Sequence, residues 1–263
     1  MTATNHPIFQ APNDINICIW KYMDFSKYVS LLDQSSLFFA RADILDDPYE
    51  GAISQANIKL RPIIYGNQVA DNIFKILSNI NYSGRKWTYI NCWHMNNSES
   101  AAMWKLYSQT NEAVAIKTTY HNLFNNLTEG IFVGIVHYID YEKDWIPEGS
   151  NLFNYVHKRK SFHYENELRA LIHEMPIGDK VYRLGIDNPL LNSPSETKVT
   201  INYKRDNPET GRLVQVDLNT LISKVYVAPT SPDWYFNLVK NISLKYGLNV
   251  PIVRSLLDNA PIF

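Results

Sequence analysis

Short apolar runs closed by turn residues recur along the whole chain, and they limit its fold more than any other feature. Runs rich in β-branched and aromatic residues predict strands over 15–23, 37–42, 87–95, 113–119, 130–139, 164–172, 213–217 and 222–228, with an edge strand over 250–253. Apolar residues at helical spacing predict helices over 26–32, 68–80, 98–107, 120–127, 152–159 and 233–246. The sequence therefore predicts an α+β fold with mixed, mainly antiparallel sheets and short peripheral helices.

Length and composition indicate a globular protein. The 263 residues are 45% apolar and 19% charged, which is enough to bury a full core. We expect a single domain with its core over 15–255. Residues 178–208 have the weakest pattern and many Pro and Asn, which predicts a long excursion or lid.

Several classes of protein are excluded by the same counts. Two cysteines cannot build a disulfide framework or a four-cysteine zinc site. The 25 basic against 26 acidic residues argue against a general phosphate-binding surface. No signal peptide or run of about 20 apolar residues is present, so we expect a cytoplasmic protein without a membrane partner. The sequence does not predict an oligomeric state.

Familiar nucleotide and metal motifs are also missing. The sequence has no Walker A loop, no G-x-G-x-x-G and no G-x-S-x-G, and its seven histidines form no zinc-protease pattern. We therefore expect no metal site. Aromatic residues reach 13%, with 17 Tyr and 6 Trp, which suits either a pocket for a planar, partly polar ligand or an aromatic-rich core.

Three segments carry chemistry-bearing residues. The acidic turn over 41–51 would hold a cation, receive an arginine or remain solvated. Residues 92–104 run from a strand ending in Trp93 and His94 through hydroxyls into a helix for which Ser98 is the predicted N-cap. Such a corner orients an anionic ligand or is an ordinary capped helix.

The third segment, over 158–169, contains two glutamates at alternate positions. In a strand, Glu165, Glu167 and Arg169 would share one face, so that Arg169 pairs with one carboxylate. Two carboxylates this close take unequal pKa values, so one stays ionised while its neighbour exchanges a proton. The alternative is a solvated strand face.

These segments resemble a bacterial family. The stretches WKYM, SLFFARADILDDPYEG, CWHMNNSESAAMWKLYS, AVAIKTT and KRKSFHYENELRALI occur in this order in the bacterial domain of unknown function family 2971. The resemblance runs from about residue 20 to 255. That family has no settled activity.

A more distant resemblance is to ADP-ribosyltransferases, whose elements line an NAD cleft between two small sheets. It implies a split sheet, NAD as the substrate, Glu167 as the catalytic glutamate and Glu165 as the first acid of E-x-E. Ser98 or Ser100 matches the hydroxyl motif, which reads S-E-S here, and Tyr22 matches the first-strand position. Such folds also act in bacterial defence or conflict, with a protein or nucleic acid as acceptor.

The remaining cofactor-binding roles follow from that chemistry. Cleavage of the nicotinamide–ribose bond passes through an oxocarbenium-like state that an ionised carboxylate stabilises. Glu167 would do this while accepting a hydrogen bond from a ribose hydroxyl, and Glu165 would orient or deprotonate the acceptor. Tyr22, Trp93 or Trp104 would stack on nicotinamide beside His94, and Arg41 or Lys105 would take the pyrophosphate.

Two other functions remain open from sequence. In a metal-dependent nuclease, Asp47, Glu50, Glu165 and Glu167 would gather around Mg²⁺, with Lys158 or Lys160 near the scissile phosphate. In a non-catalytic sensor, the aromatic residues would line a site for a nucleotide or a protein partner.

Overall fold

A computed structural model of this protein describes residues 2–66, 71–107, 111–186 and 200–261. The strands are β1 (Cys18–Asp24), β2 (Ser36–Arg41), β3 (Thr88–Met95), β4 (Ala113–Thr119), β5 (Phe132–Ile135), β6 (His137–Ile139), β7 (His157–Arg159), β8 (Glu167–Ile177), β9 (Lys180–Arg183), β10 (Gly211–Gln215), β11 (Lys224–Val227) and β12 (Ile252–Arg254). The α-helices are α1 (Phe25–Gln34), α2 (Gln55–Tyr65), α3 (Asp71–Gly84), α4 (Ala101–Tyr107), α5 (Tyr120–Asn126), α6 (Leu218–Leu221) and α7 (Asp233–Lys245). Along these ranges, no helix combines the length and apolar character that crossing a bilayer requires.

Ten of the strands form one branched sheet. Its main path runs β10-β2-β3-β1-β4-β11-β12, and β8 branches from β3 to carry β5 and β9. Strand β12 pairs in parallel with β11, and the small β6–β7 sheet is also parallel, whereas the other pairs are antiparallel. The predicted α+β class and its mainly antiparallel sheet are confirmed.

Strand β3 is the point at which the sheet divides. One edge of β3 pairs with β8 along seven positions, from Thr88↔His173 to His94↔Glu167. The other edge pairs with β2 only near its start, at Tyr89 and Ile90, and with β1 only near its end, at His94 and Met95. Strands β1 and β2 therefore diverge, and α1 connects them.

Polar side chains occupy the gap between β1 and β2. Lys21 Nζ donates to the Cys92 carbonyl at 2.9 Å, and Asn91 Nδ2 donates to the Phe38 carbonyl at 2.8 Å. Cys92 lies in the middle of β3, where neither neighbouring strand provides a backbone partner on that edge. Side chains thus replace the missing ladder hydrogen bonds, as buried backbone groups require.

Alternation along the strands gives the sheet two different faces. Leu168, Ala170 and Ile172 of β8 join the main core, together with residues of α1, α5, α6 and α7. The intervening residues Glu167 and Arg169 occupy the opposite face, because successive strand side chains point to opposite sides. That face is where the polar site lies.

Several predicted elements take a different form. The predicted 130–139 strand divides into β5 and β6, because its two parts pair with different strands, β8 and β7. The predicted 152–159 helix is instead a 3-10 turn over Asn151–Tyr155 followed by β7. The predicted 164–172 strand begins only at Glu167, since Asn166 adopts a left-handed φ of 37° after the 3-10 turn Lys160–Glu165.

The two helices that follow the acidic turn, α2 and α3, depart most from the sequence expectation. Helix α2 was not predicted, and it contains Pro62, a residue that usually breaks helices. The apolar stripe of α3 at Ile73, Ile76, Leu77 and Ile80 is exposed. The predicted start of this helix at 68–70 and part of the predicted 178–208 lid fall outside the described residues.

Candidate active site

A cavity of about 750 Å³ opens where β1 and β2 diverge. This volume lies within the range of small-molecule sites. Its lining combines aromatic side chains with charged ones. The lining includes Trp20, Lys21, Tyr22, Glu50, Cys92, Trp93, His94, Tyr107, Lys158, Phe162, Glu165, Glu167 and Arg169.

Arg169 organises the charged end of the cavity. Its guanidinium makes a bidentate contact with Glu50, at 2.6 and 2.7 Å, and a second one with Glu167, at 2.6 and 3.1 Å. It also donates to the Tyr155 carbonyl at 2.7 Å. Arg169 and both carboxylates are each at most 4% exposed. Such a buried network needs all its members, because removing one leaves a charge without a partner.

Lys158 links the two glutamates of the E-x-E segment. Its ammonium forms a close ion pair with Glu165 Oε2 and lies 3.2 Å from Glu167 Oε2. Lys158 reaches them from β7, with its charge over the Phe162 ring at 4.8 Å from the centroid. The second cation allows two carboxylates to lie close together in a buried site.

The acidic turn packs directly against this network. Glu50 receives Arg169, and Asp47 Oδ1 receives Arg159 at 2.7 Å, so the turn accepts arginines, one of the alternatives the sequence left open. Gly51 ends the turn with a φ of 73°, and a Cβ there would come within 2.7 Å of the Tyr155 ring. Glycine is therefore required for the turn to approach the site this closely.

The two glutamates differ in protonation. Burial alone would raise the pKa of Glu167, but Arg169 and Lys158 outweigh it and lower that pKa to about 2. Burial, together with the negative charge of Glu167, raises the pKa of Glu165 in spite of Lys158. Glu167 therefore stays ionised at neutral pH, and Glu165 accepts a proton more readily than Glu167 does.

His94 lies directly across from Glu167 on β3. Its Nδ1 donates to the Glu165 carbonyl at 2.6 Å, and burial lowers its pKa, so the ring is neutral. In that tautomer Nε2 is an acceptor, and the Asn96 amide lies 3.5 Å from it. His94 therefore fixes the backbone of the turn that carries Glu165.

The aromatic wall is built around Tyr22. The Tyr22 hydroxyl accepts the Ser100 backbone N–H at 2.9 Å, and its ring contacts Trp104 edge-on, with centroids 4.9 Å apart. Ser100 Oγ accepts the Met103 N–H at 3.3 Å and so caps α4. The prediction of Ser98 as the N-cap is wrong, because α4 begins only at Ala101 and Ser98 is exposed.

Five of the predicted site residues meet in this cavity, and four do not line it. Those in the cavity are Tyr22, Trp93, His94, Glu165 and Glu167. Those outside its lining are Arg41, Ser98, Ser100 and Trp104.

Arg41 and Lys105 are not placed to take a ligand pyrophosphate. Arg41 donates to Asp43 at 2.6 Å and to the carbonyls of Asn207 and Glu209. The two carbonyl contacts fix the segment that leads into β10 beside the end of β2. Lys105 is exposed on α4 and does not line the cavity. Ser100 and Trp104 contact Tyr22 but do not line the cavity, so they affect it by positioning the Tyr22 ring.

Sequence reasoning missed Lys21, which lies inside the gap with its charge 5.6 Å from the Trp93 ring centroid. Burial lowers its pKa. A lysine at the centre of an otherwise apolar strand was the available signal. It also missed Tyr138, whose hydroxyl accepts the Glu167 N–H at 2.9 Å.

The metal-nuclease alternative has no support in this arrangement. Within the described ranges, no group of three or more His, Cys, Asp or Glu side chains could hold a metal ion. Glu50, Glu165 and Glu167 do gather, but Arg169 and Lys158 lie between them, where a cation would bind.

Comparisons with known proteins add no relative. No protein-family model matches the chain, and no curated protein or solved structure is significantly similar to it. The resemblances to the bacterial family and to ADP-ribosyltransferases stay predictions.

Proposed function

We propose that this protein is an NAD-using enzyme of the ADP-ribosyltransferase type, which cleaves the nicotinamide–ribose bond and passes ADP-ribose to an acceptor or to water. The observation that carries the proposal is the meeting of Tyr22, Trp93, His94, Glu165 and Glu167, from three separate segments, in one cavity. Aromatic faces beside an ionised carboxylate suit a planar base joined to a ribose.

The electrostatics agree with this chemistry. When the C1′–N bond breaks, its electron pair leaves with nicotinamide, and positive charge develops on the ribose. Glu167 is a fixed negative charge at the cavity wall, since its low pKa keeps it ionised. Preorganised charge of this kind stabilises the transition state without reorganisation.

The test is nicotinamide release from NAD by purified protein, with labelled NAD to detect modified protein or nucleic acid. Glu165 lines the same cavity, and Glu165→Gln removes its charge without removing a contact of Arg169, so this variant is expected to lower release at least 100-fold. The exposed Glu142→Gln is the control. The proposal is refuted if the wild type releases no nicotinamide, either alone or with cell lysate added as a source of acceptors.

A non-catalytic sensor is the second candidate. It is favoured by the saturation of Glu50 and Glu167 with arginine contacts, which suits a rigid binding wall. Tight NAD binding with no nicotinamide release, measured by calorimetry and chromatography on the same sample, would select it.

A further inference from the structure

The two glutamates at the charged end of the cavity make unequal numbers of contacts. Both oxygens of Glu167 accept hydrogen bonds, Oε1 from Arg169 Nε and Oε2 from Arg169 Nη2 and Lys158. Both oxygens of Glu50 likewise accept from Arg169. In these two carboxylates, each oxygen already accepts from a donor within the protein.

Glu165 is different. Its Oε2 pairs with Lys158, but within the described residues no donor bonds to its Oε1. That oxygen is not among the fully buried unpartnered polar atoms, and Glu165 lines the cavity. Glu165 therefore has an acceptor oxygen available to a bound ligand.

The backbone holds Glu165 in this position. It ends a 3-10 turn, and the left-handed Asn166 separates it from β8. Asn166 Nδ2 donates to the Met95 carbonyl at 2.5 Å, and the Glu165 carbonyl accepts from His94. The side chain thus leaves from a fixed turn beside the cavity, outside the strand ladder that contains Glu167.

We infer that Glu165, and not Glu167, is the carboxylate that touches the ligand, accepting a hydrogen bond from a ribose hydroxyl. This inference rests on the proposed function for the identity of the hydroxyl. Glu167 then makes no contact with the ligand: it fixes Arg169 and Lys158 through ion pairs and contributes its negative charge from the cavity wall. The role that the ADP-ribosyltransferase resemblance gives to the second glutamate passes to the first.

Carbodiimide coupling to glycinamide tests this assignment without depending on turnover. The folded protein is labelled, digested with trypsin and sequenced by mass spectrometry. Glu165 and Glu167 fall on one peptide, residues 161–169, so fragment ions compare them directly. The urea-unfolded protein, in which both label, is the reference.

In the folded protein, Glu165 is expected to be labelled at least tenfold more than Glu167 and Glu50. Adding NAD or ADP-ribose is expected to decrease the labelling of Glu165 severalfold. Equal labelling of Glu165 and Glu167, or ligand protection at Asp47, which also lines the cavity with only one oxygen engaged, overturns the inference. Selective labelling of Glu165 that neither ligand reduces supports the division between the glutamates and counts against NAD as the ligand.

Discussion

Replacing Arg169 by Met should destabilise the protein strongly, because Arg169 is the centre of the buried charge network. Met retains much of the unbranched stem but removes five hydrogen bonds, two to Glu50, two to Glu167 and one to the Tyr155 carbonyl. Breaking a buried ion pair by removing one partner costs about 3–5 kcal/mol. At roughly 2–4 °C per kcal/mol, the melting temperature should fall by about 6–20 °C.

The loss should also depend on pH. In the wild type, the folded-state pKa of Glu167 is lowered, so its contribution is present above the unfolded value of about 4.5 and is lost as pH falls toward about 2. Burial already raises the pKa of Glu50 in the wild type in spite of Arg169. Without Arg169, the pKa of Glu50 rises further and Glu167 loses the strongest influence that lowers its pKa, so protonation on acidification favours the folded variant. The difference in free energy of unfolding between variant and wild type, the stability gap, should therefore become smaller from pH 8 to pH 5.5.

Urea unfolding followed by circular dichroism at both pH values measures this gap. Arg205→Met is a suitable control, since Arg205 makes only 3.4 Å contacts to backbone carbonyls at the surface. Adding Glu50→Gln to Arg169→Met should recover part of the loss, because one uncompensated charge is removed. The central role of Arg169 would be contradicted if Arg169→Met were within about 1 kcal/mol of the wild type at pH 8, or if the stability difference widened on acidification.

Three further predictions concern the turns around the cavity and its pH dependence. Ser100→Ala removes the α4 cap and should cost about 1 kcal/mol in urea unfolding, and an unchanged midpoint would contradict the capping role. Asn166→Ala should cost roughly 1–2 kcal/mol more than Asn166→Gly, because the Cβ of alanine is strained at this left-handed φ and glycine has none. Equal losses would argue against strain at this residue. If Glu165 must be ionised, the rate of NAD cleavage should decline on acidification at a pH above the usual glutamate range, since the pKa of Glu165 is raised. A rate that stays constant down to pH 4 would exclude that requirement.

Local patterns in the sequence predicted most of the sheet. The strand over 113–119 and the helix over 233–246 match the structure closely. The first four residues of β4 are apolar and buried on both faces of the sheet, and α7 buries one face against the core. The pattern failed where a turn overrides it. Glu165 was placed in a strand, but the sequence does not show that Asn166 reverses the backbone.

The site was only partly predictable for a different reason. Cys92 pairs with Arg169, and His94 with Glu167, through the β3–β8 register, and no local pattern specifies which strands become neighbours. The acidic turn that contains Glu50 was expected to hold a cation, receive an arginine or stay solvated, and no local pattern identifies Arg169 as its partner, because that residue lies 119 residues away. Arg41 was expected to bind a phosphate because the sequence does not show that it is already engaged. Its partners, the carbonyls of Asn207 and Glu209, are distant in the chain and come close only when β10 pairs with β2.

The separation of Glu50 from Arg169 also has a consequence for synthesis of the chain in the cell. With 119 residues between them and translation at about 5–20 residues per second, Glu50 leaves the ribosome roughly 6–24 seconds before Arg169. During that interval Glu50 lacks the arginine that it pairs with in the folded protein. Strand β10, which pairs with β2, emerges later still. Both partners of β1, β3 and β4, are synthesised before Arg169. One edge of β2 is therefore without its partner for longest, and it is the edge at which the growing chain is open to pairing with another strand.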